Sequence, residues 1–518
     1  MKADHTPLRH AILWVALLVF ACLAARLWFA TPARAGGVVG NGTPASCTSS
    51  ALDTALANGD DVTFSCGSAP YTIVLTQSLT ILYPSSIQGS GLITLSGDNS
   101  RPLIQIYPGT SLTLTGLTLA QGYGTFGAIY NSSGSTLVIS GSQIIENAAT
   151  NNGGAIDNEQ GVVTITNSTI AINTATYNGG GIYSSGGMLA IAGSQVISNS
   201  ASSNGGALYL SGNAWVQTSH FEGNMVTGRG GGIFTLNTAQ LTIGDSQIVS
   251  NTASSGGGIC NNGNMNIGSS TLSYNTTPGG VYGGGLLNNG PVNISGTLIY
   301  GNVADNPGGG IYNLSSGALH IEQSTVAANV GTQGGAIYNE SSAASLVNVT
   351  LSGNVAISIS TLDGQGGGVY NTGSLYLTDT DVIRNSAEIS GGGIWNDSLG
   401  AVTLVNTIVA YSPAGNNCVG VITSGGFNIS SDATCALDAM HDLTDTDPLL
   451  SPLGDHRGLT PTHLPWPGSP AIDFGTCLLD VPTDQRGVTR PQGNHCDVGS
   501  VEVSRLDVPG VFVPLVVR

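Results

Sequence analysis

From about residue 71 to 412 the apolar positions come in short alternating stretches: VVTIT at 162–166, LAIAG at 189–193, LHIEQ at 319–323. Alternation with period two is a strand signal, and the Gly, Asn and Ser between the stretches are turn residues. The pattern then repeats. The aliphatic that follows each glycine pair falls at Ile129, Ile156, Ile182, Leu208, Ile233, Ile259, Leu286, Ile311, Ile337, Val369 and Ile394, in steps of 25 to 27 residues with one step of 32. A second file holds Asn147, Asn173, Asn199, Asn224, Asn251, Asn275, Asn302, Asn329, Asn354 and Asn385. Ser or Thr stands five residues before each of these Asn, except at Val349, and a bulky apolar residue stands three before, as in FEGN and IVSN.

A fixed period of this length marks a solenoid. Helical repeats need apolar spacings of three and four, which this unit lacks. The predicted fold is all-β: a right-handed parallel β-helix of coils of about 26 residues, each with three strands of about four residues. Eleven clear coils are expected, with two or three more from the strands at 71–119. The aliphatic file should fill the bore. Asn side chains stacked on identical Asn one coil away can donate and accept along the rod, and the Ser/Thr file can do the same with hydroxyls. No coil buries its own face, so each must resemble its neighbours.

The ends read differently. SSALDTALANG (49–59) has helix spacing and predicts a short helix over the open bore, where unpaired strand edges would otherwise invite association. The repeat fades after Trp395, and from about Ser412 the chain turns rich in Pro, Asp and Arg. The predicted organisation is a leader at 1–35, an N-terminal cap with first coils at 36–119, repeats at 120–412 and a C-terminal module at 413–518. In the leader, Arg9 and His10 precede an apolar run, Ala11 to Ala25, and Ala-Arg-Ala at 33–35 suits cleavage. An uncleaved anchor is the alternative. No second span follows, so the expected location is secreted or at the cell surface.

Composition narrows the partners. From Gly36 onward 8 Arg face 29 Asp and Glu, a balance of −21 with no Lys. Such a chain does not neutralise phosphates, which excludes nucleic acid. Six Cys fall into close pairs, Cys47 with Cys66, Cys418 with Cys435 and Cys477 with Cys496, and read as disulfides in an exported protein. Cys260 stands alone in a position held elsewhere by Tyr. The oligomeric state is not set by the sequence.

The glycine-pair and apolar-x-x-Asn files together resemble the repeats of polymorphic outer membrane proteins. Those proteins carry GGA-I/L/V and FxxN motifs on parallel β-helices, and many are surface adhesins. The resemblance covers 120–412. Only FEGN (221–224) has the literal Phe, and no autotransporter barrel follows. The tail, DPLLSPLGDHRGLTPTHLPWPGSPAIDFG and then TDQRGVTRPQGNHCDVGSVE, is similar to the choice-of-anchor Q module of secreted bacterial proteins, which implies envelope attachment. The closing VFVPLVVR is similar to apolar C-termini of exported proteins, or is one last strand.

The candidate sites are few. An aromatic file follows the aliphatic one: Tyr130, Tyr183, Tyr209, Phe234, Tyr312, Tyr338, Tyr370 and Trp395, with Asp157, Cys260 and Leu287 as exceptions. Alternation sends it outward. It would serve sugar faces or an apolar partner, or would only stack across strands to stabilise the sheet. A hydrolase wants paired carboxylates: Asp379 with Asp381, near Arg384, is the leading catalytic candidate, and Asp157 with Glu159 also share a face. A lyase wants a base beside calcium-binding carboxylates, and between 127 and 412 the cations are Arg229 and Arg384 alone. Asp442, Asp445 and Asp447 in DLTDTDP could hold calcium but lack the glycine and closing Glu of an EF-hand loop; no other cofactor is expected. Asp484, Arg486 and Arg490 read as ion pairs locking the cap. The preferred role is adhesion or glycan contact without catalysis. A carbohydrate-active enzyme is the alternative, and a structural spacer the third.

Overall fold

A typical coil is four short strands joined by tight bends. One coil runs Ile182–Ser185, Met188–Ala192, Gln195–Ile197 and Ser200–Ala201. The computed structural model describes residues 37–57, 59, 61–358, 364–504 and 507; the leader and the closing VFVPLVVR lie outside the described residues. Every strand pairs in parallel with its counterpart one coil away, as in Ile182↔Leu208 and Ile191↔Val216. The strands of type 182–185 form a 14-stranded sheet, which counts the coils. At a spacing of ~4.8 Å they make a rod about 65 Å long. The five-residue and three-residue strands share a second, 29-stranded sheet that bends between them. The solenoid extends past residue 412, through Cys418–Val419, Ile422–Ser424 and Ile429–Ser430.

The files have physical causes. All eleven aliphatics after the glycines are 0% exposed and line the bore. The first glycine of each pair turns left-handed: Gly179 has φ +63°, which L side chains rarely adopt. The second has no room, because a Cβ on Gly180 would sit 2.3 Å from the Ser200 carbonyl oxygen and 2.4 Å from that of Gly206. Asn173 Nδ2 donates to Asn199 Oδ1 at 2.9 Å, and Asn199 Nδ2 to Asn224 Oδ1 at 3.1 Å. The serine file works differently from a hydroxyl-to-hydroxyl ladder. Ser168 Oγ donates to the Thr166 carbonyl (2.7 Å) and accepts the backbone N–H of Ser142 from the next coil (3.1 Å). The hydroxyl is held by its own bend and reaches only the neighbouring amide.

A second asparagine ladder, not singled out from the sequence, runs inside the 14-stranded sheet. Asn261 donates to Asn288, Asn288 to Asn313, Asn313 to Asn339 and Asn339 to Asn371, all at 2.8–2.9 Å.

Helix α1 (Ser49–Leu56) covers the N-terminal end. Thr48 caps it by accepting from Ala51 N, and Leu52 is fully buried. Cys47–Cys66 ties its approach to the first coil. At the other end Cys418–Cys435 and Cys477–Cys496 close loops of the C-terminal region. Beyond Ile429–Ser430 that region no longer extends the rod. It folds back along the bend of the large sheet: Gln323 and Asn348 reach Thr483 at 3.3 and 2.8 Å, and Asn406 reaches Thr476 at 2.6 Å. The three-residue strands record this cover. Gln143–Ile145, Gln195–Ile197 and Gln247–Val249 expose their first residue, whereas Thr325–Ala327, Thr350–Ser352 and Asp381–Ile383 are buried throughout.

Candidate functional site

Strand alternation turns Ile182 and Ser184 into the bore and Tyr183 outward. Parallel register then stacks the outward residues: Tyr130, Asp157, Tyr183, Tyr209, Phe234, Cys260, Leu287, Tyr312, Tyr338, Tyr370 and Trp395 lie on successive coils. Ring centroids are 5.0 Å apart for Tyr183–Tyr209, 4.7 Å for Tyr312–Tyr338 and 4.9 Å for Tyr338–Tyr370, with planes within 21° of parallel. Outward does not mean open. Phe234 and Tyr312 are buried, because Leu236, Leu314 and Tyr282 pack against the file, and Tyr370 is buried between the Tyr338 and Trp395 rings; the Tyr282 ring lies 4.3 Å from that of Tyr312. Within each run the rings spend their faces on one another. Only run ends, such as the Tyr183 face away from Tyr209, are left for another group.

Carboxylates edge this file. Asp157 is buried between Tyr130 and Tyr183, and burial, with Glu159 adding like charge, pushes its pKa up to about 7. Burial also raises Glu159, against a hydrogen bond with Ser185. Burial and then Glu340 raise the Tyr312 phenol, and burial and then Asp397 raise that of Tyr370. Glu340 and Asp397 were not picked out from the sequence; their signal was the shared position two residues beyond the aromatic, which Glu159 also holds.

The leading catalytic candidates lie elsewhere, under the C-terminal region. Asp379 and Asp381 are each 1% exposed. Asp381 accepts from Ser500 Oγ (2.6 Å) and Ser500 N (3.2 Å); Asp379 accepts from Asn406 Nδ2 (3.1 Å) and lies 3.8 Å from Arg490 Nη1. Arg384 is not brought to them. Its guanidinium sits over the Tyr411 ring, 5.6 Å from the centroid. The carboxylates hold the C-terminal region to the rod, where a substrate chain has no approach. Around them, Arg490 donates to the Gly499 and Asp497 carbonyls and pairs with Glu502 at 3.3 Å. Arg486 pairs with Asp484 at 3.0 Å and with Asp507 at 2.9 Å. Gln485, missed from the sequence, accepts from Thr350 Oγ1 (2.7 Å) and donates to Thr325 Oγ1 (2.9 Å).

The calcium candidates are dispersed by their own hydrogen bonds. Asp442 accepts from Asn428 N and Ala439 N, both at 2.9 Å, while Asp447 accepts from the Tyr411 hydroxyl and from Leu449 N. Asp445 does not join them. Among the described residues no group of three or more His, Cys, Asp or Glu is placed to hold a metal.

The fold is similar to that of the mannuronan C-5 epimerase AlgE6 A-module of Azotobacter vinelandii. The match covers 77% of this chain and 97% of that one, at 13% identity and a TM-score of 0.26. That level carries neither site nor activity across. No family model matches the chain, and no curated protein matches its sequence. Among the described residues no helix is long and apolar enough to cross a membrane.

What remains chemically is an acid-edged strip of aromatic edges, hydroxyls and carboxylates along one side of a rod, and a buried clasp along another. The strip can accept hydrogen bonds and attract cations. The clasp can hold the two parts of the chain together.

Proposed function

We propose that the chain is an exported surface or matrix protein that contacts glycans without catalysis, through the aromatic file and its carboxylate edge. The observation that carries this reading is the stack of outward Tyr rings with a carboxylate beside it at three coils, Glu159 acting on Tyr130 and Tyr183, Glu340 on Tyr312 and Tyr338, and Asp397 on Tyr338 and Tyr370, groups suited to a hydroxyl-rich polymer. Three disulfides fit an oxidising compartment. An anchoring role for the C-terminal module belongs to the same proposal. Its inner side is committed to the rod, so an envelope component would meet its outer side, where Trp466 and Leu479 are exposed.

One observation favours the enzymatic alternative. Asp157 and Glu159 stand two residues apart on one strand face, and burial raises both pKa values toward those of a general acid. A glycan array and a depolymerisation screen on residues 36–518 separate the readings. Binding without turnover supports glycan contact. New reducing ends or unsaturated sugars, lost in Asp157→Asn, overturn it for the enzyme. Absence of both leaves a spacer.

A further inference from the structure

The aromatic file is interrupted by one carboxylate. Asp157 takes the outward position between Tyr130 on one neighbouring coil and Tyr183 on the other. It is 6% exposed, and its Oδ1 has no hydrogen-bond partner among the described residues. The charged group that acts on it is Glu159, of like sign, which faces the same way from the same strand and is less deeply buried. A buried carboxylate with neither hydrogen bond nor counter-charge is costly, and an orphan of this kind points to a group that completes it.

The geometry suggests which group. Tyr183 gives one face to Tyr209, with planes 21° apart, so its other face looks along the rod toward the Asp157 coil. Tyr130 and Tyr183 are two coils apart, about 10 Å of rise. A cation midway lies ~5 Å from each ring position, inside the ~6 Å reach of a cation–π contact. A metal ion is a poor fit, since among the described residues no third carboxylate, His or Cys joins the pair. The balance of −21 from Gly36 onward draws cations of any kind toward the rod.

We propose that the Asp157 gap is a subsite for a protonated amine on a polysaccharide, with Asp157 and Glu159 as counter-charge and Tyr130 and Tyr183 as flanking rings. This rests on the glycan-contact reading and names its ligand class: a polymer of amino sugars with free amines.

The test is calorimetric titration of residues 36–518 at pH 6 with glucosamine tetramer, its N-acetylated counterpart and tetralysine. The free-amine sugar should bind roughly tenfold more tightly than the acetylated one. Asp157→Asn should cut that preference to within about threefold, with an unchanged circular dichroism spectrum. Glu159→Gln should give part of the loss and serves if the first variant misfolds. Equal binding of the two sugars, or a preference that survives both variants, overturns the subsite while leaving glycan contact standing. Tetralysine binding as tightly as the amino sugar overturns the polysaccharide class. No binding of either sugar overturns the subsite, and the glycan array then decides whether glycan contact stands.

Discussion

Asn224→Ala tests whether the asparagine file, and not the apolar bore alone, holds successive coils together. Asn224 is 0% exposed. Its Nδ2 donates to Val196 O at 2.8 Å and to Asn251 Oδ1 at 2.9 Å, and its Oδ1 accepts Asn199 N at 2.9 Å and Asn199 Nδ2 at 3.1 Å. Truncation removes the acceptor of a buried backbone N–H and the side-chain donor to a buried carbonyl. Each such group left unpaired costs about 1–3 kcal/mol, and the small cavity adds to that, so the expected loss is about 3–5 kcal/mol. In a solenoid the loss is local, because each coil contacts only its neighbours. Urea titration followed by hydrogen exchange should show faster exchange at residues 196–251 and little change beyond 300. Asn224→Asp sharpens the test: the second carboxylate oxygen would face Val196 O and Asn251 Oδ1, two acceptors. Burial and the two facing acceptors, which outweigh the Asn199 donors on the first oxygen, would raise its folded pKa, so this variant should be most stable below pH ~4 and weaken as pH rises through that folded pKa. A loss under about 1 kcal/mol, or exchange that rises uniformly along the rod, would refute the reasoning.

The remaining predictions concern the clasp, the lone thiol and the glycine turn. Arg490→Leu leaves Glu502 and Asp379 buried without their cation, at a cost of about 3–5 kcal/mol; limited proteolysis should then cut the C-terminal region while the rod resists. Burial raises Asp379 to about 6 and Asp381 to about 7, so the folded chain retains protons there that the unfolded chain releases near pH 4. That contribution is complete below pH ~4 and lost as pH rises through 6 to 7, and the clasp should be cleaved faster at pH 8 than at pH 5 by a protease normalised on an unfolded substrate. Cys260 is buried and its thiol pushed up to about 12, so a thiol reagent should label it only after denaturation. Gly180→Ala forces a Cβ against two carbonyl oxygens of the next coil and should lower the thermal midpoint by several degrees.

The rod was legible because it is written many times. One Asn or one glycine pair means little, but the same residue at a spacing of 25 to 27 can only be explained by coils lying over one another. The second asparagine ladder was equally present, in the repeated Ile-Tyr-Asn at 129, 311 and 337, yet the neighbouring ring drew the reading outward. Inward and outward were readable from alternation; how deeply an outward ring is covered was not. The burial of Tyr312 depends on Tyr282, which does not recur in the repeat, and on Leu314, whose position is Leu in one other coil, at Leu236. The clasp was least legible, since its contacts join residues 70 to 161 positions apart and occur once each.

A trace of the clasp did exist in the repeat. The first residue of the three-residue strand runs Gln143, Thr169, Gln195, His220, Gln247, Thr271, then Leu298, Thr325, Thr350, Asp381 and Ile408. The solvent-facing part mixes long polar residues with Thr. The long polar residues stop, and Asp and Ile enter, where Gln485, Ser500 and Val498 lie over the file. The change divides the rod into two lengths with different work. From Gly296, which lies against Leu459, to Ile408 the bend of the large sheet is used up in holding the C-terminal region. From Gln143 to Val249 the same bend is open, and the coils that expose it are those that carry Asp157, Glu159 and the free face of Tyr183. A partner that grips the rod from more than one side therefore has only the N-terminal half to grip, which is also where the unpartnered Asp157 of the aromatic file lies.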